Sequence, residues 1–312
     1  RLATTTAGSV SVLTRDAGFL PMMARLQKSG SSVRCYYEPH DFFADLAWLG
    51  KKKKFADLRQ RHLERRYLPR LSGLLCIAGG QQELYRQHLP GVRSIYLPLG
   101  CDPCPPLSSE ERRSKRCAVY VGHLHGSKGL YALFSAAERL RRTGHDLRFA
   151  MLGGTTEQVA RSHKSAEEHG VAELFSFVPF LSPELLRQKL HAEYSIGLAP
   201  LQDTFYNQNL TCPVKVLDYL SHGLPVVGTE VRSVRETAQD AALYADPERP
   251  SELARRIRDA MNQAELHAKL SAASARRGQE LSWTRRAERM VEFCTNNPRE
   301  NPDQSTRNET SR

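Results

Sequence analysis

The stretch CAVYVGHLHGSKGL, residues 117–130, decides the fold. An apolar run of strand length ends at Gly122, the glycines at 122, 126 and 129 allow tight turns, and an amphipathic pattern starts at Leu130. Strand, turn and helix follow in that order, and the alternation continues downstream. Further strands are expected over 147–152, 174–177, 194–199 and 225–227, with helices over 130–143, 156–169, 183–192 and 213–221. Five strand–helix units in a row predict an α/β fold with a doubly wound parallel sheet. Ser251 is expected to cap a later long helix, and Trp283 to open another that ends near Cys294.

Upstream, short buried strands are expected over 34–37, 74–78 and 95–98, with a helical stretch between the first two. Residues 101–116 are rich in Cys, Pro, Ser and charge and lack an apolar period, which places a domain boundary there. The expected division is therefore a first domain over 1–116, a second over 117–280, a crossover helix over 281–294 and a loose tail over 295–312. That tail has no aliphatic or aromatic side chain to bury. The start at Arg1, followed by a Ser/Thr-rich run, reads as a processed or truncated N-terminus.

With 312 residues, 40% hydrophobic and 25% charged, the chain is too apolar to be disordered and long enough for two lobes. Its seven cysteines give neither a disulfide lattice nor the paired CxxC spacing of a four-thiolate zinc site, so a reducing compartment is expected. No apolar stretch approaches the roughly 20 residues needed to cross a bilayer. The net charge of +11 is unevenly placed: residues 1–116 hold 20 Lys and Arg against 10 Asp and Glu, and the rest hold 25 against 24. Residues 48–70 alone carry nine Lys or Arg, with Phe55, Leu58, Leu63 and Tyr67 on a helical period. Such a segment suits an anionic membrane surface, or is a solvated charged face; the base-reading modules that nucleic acid would require are missing.

Two segments could carry chemistry. In YVGHLHGSKGL, residues 120–130, the helix start and Lys128 suit a phosphate, although GxxxGxxG is neither the dinucleotide fingerprint nor a Walker loop, and a plain strand–helix turn stays open. In NQNLTCPVKVLDYLSHGLPVVGT, residues 207–229, Lys215 and Asp218 fall three apart on one face of a helix that Gly223 must stop. Asp218 could accept hydrogen bonds from ribose hydroxyls while Lys215 faces a diphosphate; alternatively the pair is an ordinary surface pair.

Taken together, the two segments resemble the donor half of GT-B glycosyltransferases, in particular the large retaining group, family 4, that uses nucleotide-diphosphate sugars. Lys128-Gly129 matches the KG that ends the family's glycine-rich turn, and CPVKVLDYLSHG matches its SPxKxxEYxAxG variant, followed by the Pro-Val-Val at 225–227. Val178-Pro179-Phe180 resembles the loop whose main chain cradles the base, and Gly153-Gly154 the turn beneath the nucleotide. Leu281-Ser282-Trp283 resembles the start of the helix that crosses back to the first domain. YYEPHD at 36–41 resembles the YExHD segment of the interdomain cleft. The resemblance covers residues 33–294. It implies two Rossmann-like domains facing a cleft, the first of them incomplete here because so little chain precedes YYEPHD.

The resemblance further implies a donor site made by Gly122, His123, Gly126, Gly153, Val178, Asn209 and Asp218, with His40, Lys128 and Lys215 as catalytic residues. Glu38 would orient His40, and Asp41 would cap the next helix. No tightly bound cofactor and no metal is implied. The expected activity is retaining transfer from a UDP- or GDP-sugar to a glycan or lipid-linked acceptor, in polysaccharide, lipopolysaccharide or glycolipid synthesis at the cytoplasmic face of a membrane. A non-catalytic partner subunit or an epimerase-like enzyme would share the pattern. Two departures stand out. His123 replaces the family's usual arginine, and Leu210 stands where the first acid of its acidic pair belongs, so that Asn207, Gln208 or Asn209 would have to orient the transferred sugar.

Overall fold

The computed structural model describes residues 3–6, 9–29, 32–52, 54–145 and 147–296. The chain forms two compact units: one runs to Pro98 and takes up the chain again at Arg286, and the other is Leu99–Arg285.

In the first unit β1 (Ala3–Thr6) and β2 (Ser9–Thr14) pair antiparallel, with Ala3 opposite Val12. Then come α1 (Leu20–Ser29), β3 (Val33–Tyr37), α2 (Phe55–Tyr67), β4 (Gly73–Cys76), α3 (Gly79–His88) and β5 (Ser94–Tyr96). The sheet order is β1-β2-β3-β4-β5, and β2 to β5 run parallel. The Ser/Thr-rich opening, expected to precede the first strand, thus supplies two strands of its own. Threonine and valine suit a pleated ribbon once a neighbour such as β3 supplies the ladder.

In the second unit α4 (Ser109–Ser114) precedes β6 (Cys117–Val121), and strands then alternate with helices. They are α5 (Leu130–Arg142), β7 (Arg148–Leu152), α6 (Thr156–Glu168), β8 (Phe175–Val178), α7 (Pro183–Ala192) and β9 (Ile196–Ala199). After these come α8 (Phe205–Asn209), α9 (Val214–Ser221), β10 (Val226–Thr229), α10 (Arg232–Ala238) and β11 (Ala242–Ala245). The helices α11 (Pro250–Asn262), α12 (Ala264–Glu280) and α13 (Trp283–Thr295) close the chain, the last supplying residues from Arg286 on to the first unit. All strands are parallel in the order β11-β10-β9-β6-β7-β8. The chain builds outward from β6 to β8, then returns to the other side of β6 to add β9, β10 and β11. The reversal lies between β6 and β9, and ligands of open α/β sheets bind at such a point.

Several expectations are corrected. The sheet has a further strand, β11, beyond the five expected from sequence; it is a four-residue edge strand with alanine at both ends, ordered by its register with β10. Residues 99–116 belong to the second unit rather than the first. Arg112 explains why: it is fully buried and donates to the carbonyls of Leu190 (3.2 Å), Tyr194 (3.3 Å) and His222 (2.6 Å). Ser251 is not a cap, because Pro250 takes the first helical position, where its missing N–H costs nothing. On α2, Leu63 and Glu64 turn inward, whereas Phe55 (85% exposed) and Leu58 (50%) point outward among Arg59, Arg65 and Arg66. Lys53 and residues 297–312 lie outside the described residues.

Candidate functional site

The site begins where β6 ends. Gly122 donates its N–H to Leu152 O (2.8 Å), and Gly153 donates to Val178 O (2.8 Å), so the three strand ends of β6, β7 and β8 are tied side by side. Gly153 has φ +130°, and a Cβ there would fall 2.4 Å from Gly122 O. No other residue fits that position, which leaves a bare main-chain floor.

Two lysines converge on this turn. Lys215 on α9 holds its Nζ 4.1 Å from the ring centroid of Tyr120, and 3.8 Å from where a Cβ on Gly122 would stand. Lys128 precedes Gly129, the left-handed residue at the start of α5. Burial, helped by the neighbouring Lys128 charge and opposed by Asp218, lowers the Lys215 pKa to about 7. Burial lowers that of Lys128 as well. Among the described residues neither lysine forms an ion pair. Two poorly solvated ammonium groups without a carboxylate partner form a site that favours an anion.

Asp218 follows Lys215 on the same face of α9. Burial raises its pKa to about 6, against the opposing charges of Arg187 on α7 and Lys215. Tyr219 beside it is fully buried; its hydroxyl accepts the Val121 N–H (3.0 Å) and donates to Leu198 O (3.1 Å). The sequence reading did not single out Tyr120, Tyr219 or Arg187. Their places depend on strands far apart in sequence, and the Tyr after Asp218 in the quoted motif was the sole hint.

The other residues expected at a donor site stand in different surroundings. His123 is exposed, its ring edge-on to Phe180 at 4.9 Å, and its carbonyl accepts from Tyr120 Oη (2.9 Å). Val178 already accepts one hydrogen bond from Gly153, and Phe180 donates its N–H to Gly154 O (3.1 Å), so the loop after β8 is braced on the turn after β7. Gly126 lines a different hollow, between α5 and α6, with His125, Tyr131 and Ser162. Of the amides proposed to replace the missing acid, Asn207 is buried and donates to Gln202 O (2.8 Å). Gln208 is held at both ends, donating to Asp203 and accepting the Arg232 N–H (each 2.8 Å). Asn209 is half-buried and donates Nδ2–H to Phe205 O (3.0 Å), which leaves its carbonyl oxygen as the best-placed acceptor of the three.

In the first unit His40 is exposed and its Nε2 lies 3.3 Å from Glu38 Oε1. Glu38 is fully buried and also meets Arg15 Nε (2.8 Å) and Arg286 Nη2 (2.6 Å). Burial alone would raise the Glu38 pKa, but the His40 contact and the two guanidinium groups outweigh it and hold the carboxyl at about 2. Asp41 is not a cap: its carbonyl accepts from Gln81 (3.0 Å), while Asp45 receives the Ala47 N–H at the next helical turn (3.1 Å). Among the described residues no group of three or more His, Cys, Asp or Glu could hold a metal ion, and no helix is long and apolar enough to cross a membrane.

Residues 115–263 match the family described as "Glycosyl transferases group 1". No curated protein matches at the level of sequence. Among solved structures the chain is similar to sucrose-phosphate synthase from Thermosynechococcus elongatus, with a TM-score of 0.68 and 16% identity over 91% of this chain and 73% of that one. It is also similar to HepE from Anabaena in complex with UDP and glucose (TM-score 0.67, 16% identity, 92% and 77%). A third likeness is to the UDP-forming trehalose-phosphate synthase of Burkholderia xenovorans (TM-score 0.66, 14% identity, 92% and 73%). Residues 115–263 thus resemble glycosyl transferases group 1, and over 91% of its length the chain has the GT-B fold of these solved glycosyltransferases.

Proposed function

We propose that the enzyme transfers a sugar from a UDP- or GDP-sugar, with retention of configuration, to a glycan or lipid-linked acceptor. The observation that carries this reading is Lys215 beside the main-chain floor at Gly122, with the Lys128 charge close to it and Asp218 three residues on along α9. The lysines would stabilise charge on the departing diphosphate, Asp218 would accept from the ribose hydroxyls, and Asn209 would orient the sugar. His123 would stand beside the diphosphate, where the resembled family carries arginine. His40, steadied by Glu38, would make the polar contact to sugar or acceptor.

No protein nucleophile is required. The acceptor hydroxyl forms its bond to the anomeric carbon on the face from which the phosphate oxygen departs, and that oxygen takes the hydroxyl proton. The solved HepE complexes with UDP and with UDP-glucose support a uridine donor by analogy of fold. Phe55 and Leu58, exposed among the arginines of α2, together with Lys52 and Lys54, support peripheral contact with an anionic membrane at its cytoplasmic face. Cell-surface polysaccharide, lipopolysaccharide or glycolipid synthesis is the setting that such contact fits.

Calorimetry with UDP, GDP and ADP tests the donor reading. Binding of one of them, abolished by Asp218→Ala with Lys128→Ala, is the expected result; no binding of any would favour a non-catalytic partner subunit. Charge reversal at Lys51 to Lys54 should weaken sedimentation with anionic vesicles, and unchanged sedimentation removes the membrane contact.

A further inference from the structure

The ladder between β6 and β9 is short. It pairs only Ala118 with Ile196 and Val119 with Gly197, whereas β6 pairs with β7 over the whole of Cys117–Val121. Past Val119, toward the site, the main chains of β6 and β9 are joined by a side chain. The Tyr219 hydroxyl accepts the Val121 N–H (3.0 Å) and donates to Leu198 O (3.1 Å), one bond to each strand. This hydroxyl stays protonated, because burial holds its pKa well above the ordinary value, so it can serve both strands at once. Its ring lies where Gly197 has no side chain, since a Cβ there would fall 2.3 Å from the ring.

We propose that Tyr219 is a positioning residue that holds β6 and β9 apart at the switch point and fixes the rotation of α9, so that Lys215 faces the diphosphate of the donor. Residues four apart on a helix share a face, so anchoring Tyr219 at both strands sets the direction of Lys215 one turn earlier. Tyr120, on which the Lys215 ammonium rests, is adjacent to Val121, whose amide Tyr219 holds. Ring, hydroxyl and lysine thus fix one another. The inference rests on the donor reading for the identity of the ligand, but not for the geometry.

Tyr219→Phe removes one oxygen and both hydrogen bonds. In calorimetry with whichever of UDP, GDP and ADP the parent binds, it should weaken binding about tenfold, and no more than about twofold in a Lys215→Gln background. Parent-like binding, or an equal loss in both backgrounds, overturns the proposal. A second readout needs no nucleotide: acetylation of Lys215 by an N-hydroxysuccinimide ester at about pH 7.5, followed by mass spectrometry with Lys189 of α7, half-buried and paired with Glu193, as the internal reference. Tyr219→Phe should change the Lys215 rate at least about threefold while Lys189 is unchanged, as should Gly197→Ala, which must displace the ring. An unchanged Lys215 rate in both variants overturns the positioning role even if no nucleotide binds, a result that by itself would count against the donor reading alone.

Discussion

Lys215 Nζ stands 4.1 Å from the ring centroid of Tyr120, so the cation nearest the glycine floor rests on an aromatic face. Burial, not the ring, makes the site's charge depend on pH near neutrality. Lys215 is protonated only below about 7, and Asp218 is ionised only above about 6. A diphosphate needs the first charged and ribose hydroxyls need the second ionised. Binding of whichever of UDP, GDP and ADP the protein takes should therefore be tightest between about pH 6 and 7 and weaken on either side. Lys215→Arg, which stays charged, should flatten the alkaline limb, and Asp218→Asn the acid limb; a single unbroken slope from pH 5 to 9 in calorimetry would contradict this.

Glu38, with its carboxyl held at about 2, should stabilise the first unit wherever it is ionised. Its folded pKa lies below its unfolded one, so this contribution is full above the ordinary value of about 4.5 and fades as pH falls toward 2. Glu38→Gln should cost about 2 kcal/mol at pH 7, since Arg286 loses its buried partner while Arg15 remains largely solvated. Urea denaturation at pH 7 and pH 3 should show that difference shrinking; a pH-independent difference would count against the ion-pair account.

The opposite sign applies to Glu64. It is fully buried, accepts from Tyr85 Oη (2.8 Å) and the Phe43 N–H (3.0 Å), and burial pushes its pKa up to about 8. A raised folded pKa means that stability declines as pH rises from about 4.5 through about 8. Glu64→Gln, which does not titrate, should remove that decline, up to about 5 kcal/mol. Melting temperatures of parent and variant that fall in parallel over this window would sink the prediction.

Arg112→Met should cost about 3 kcal/mol, because three buried carbonyls lose their donor at once. The midpoint of urea unfolding, followed by the tryptophan signal, measures it. A change below about 1 kcal/mol would mean that residues 99–116 are held by other contacts.

The alternation over 117–227 was legible in the sequence because the strands there, β8 apart, are nearly continuous buried runs, and the helix after β6 carries a periodic apolar face. Lys128, Lys215 and Asp218 were legible as candidates through spacing and resemblance. Less was visible where packing depends on few residues. Residues 99–116 offered no apolar period, and Arg112, a charged residue, anchors them to the second unit through carbonyls. β11 is an edge strand that its neighbour orders. Phe55 and Leu58 fitted a helical period with Leu63, yet only Leu63 and Glu64 meet the core.

By itself, then, the sequence determined the strand–helix order, the glycine turn after β6 and the residue types of the candidate site, because these follow from local periodicity and short spacing. Tertiary structure alone decided which groups meet: Tyr219 between β6 and β9, Lys215 on Tyr120, and Arg15 and Arg286 on Glu38. Such pairings are set by strand order and burial, and burial is also what moves Lys215 and Asp218 toward neutral pH, an effect that no spacing along the chain encodes.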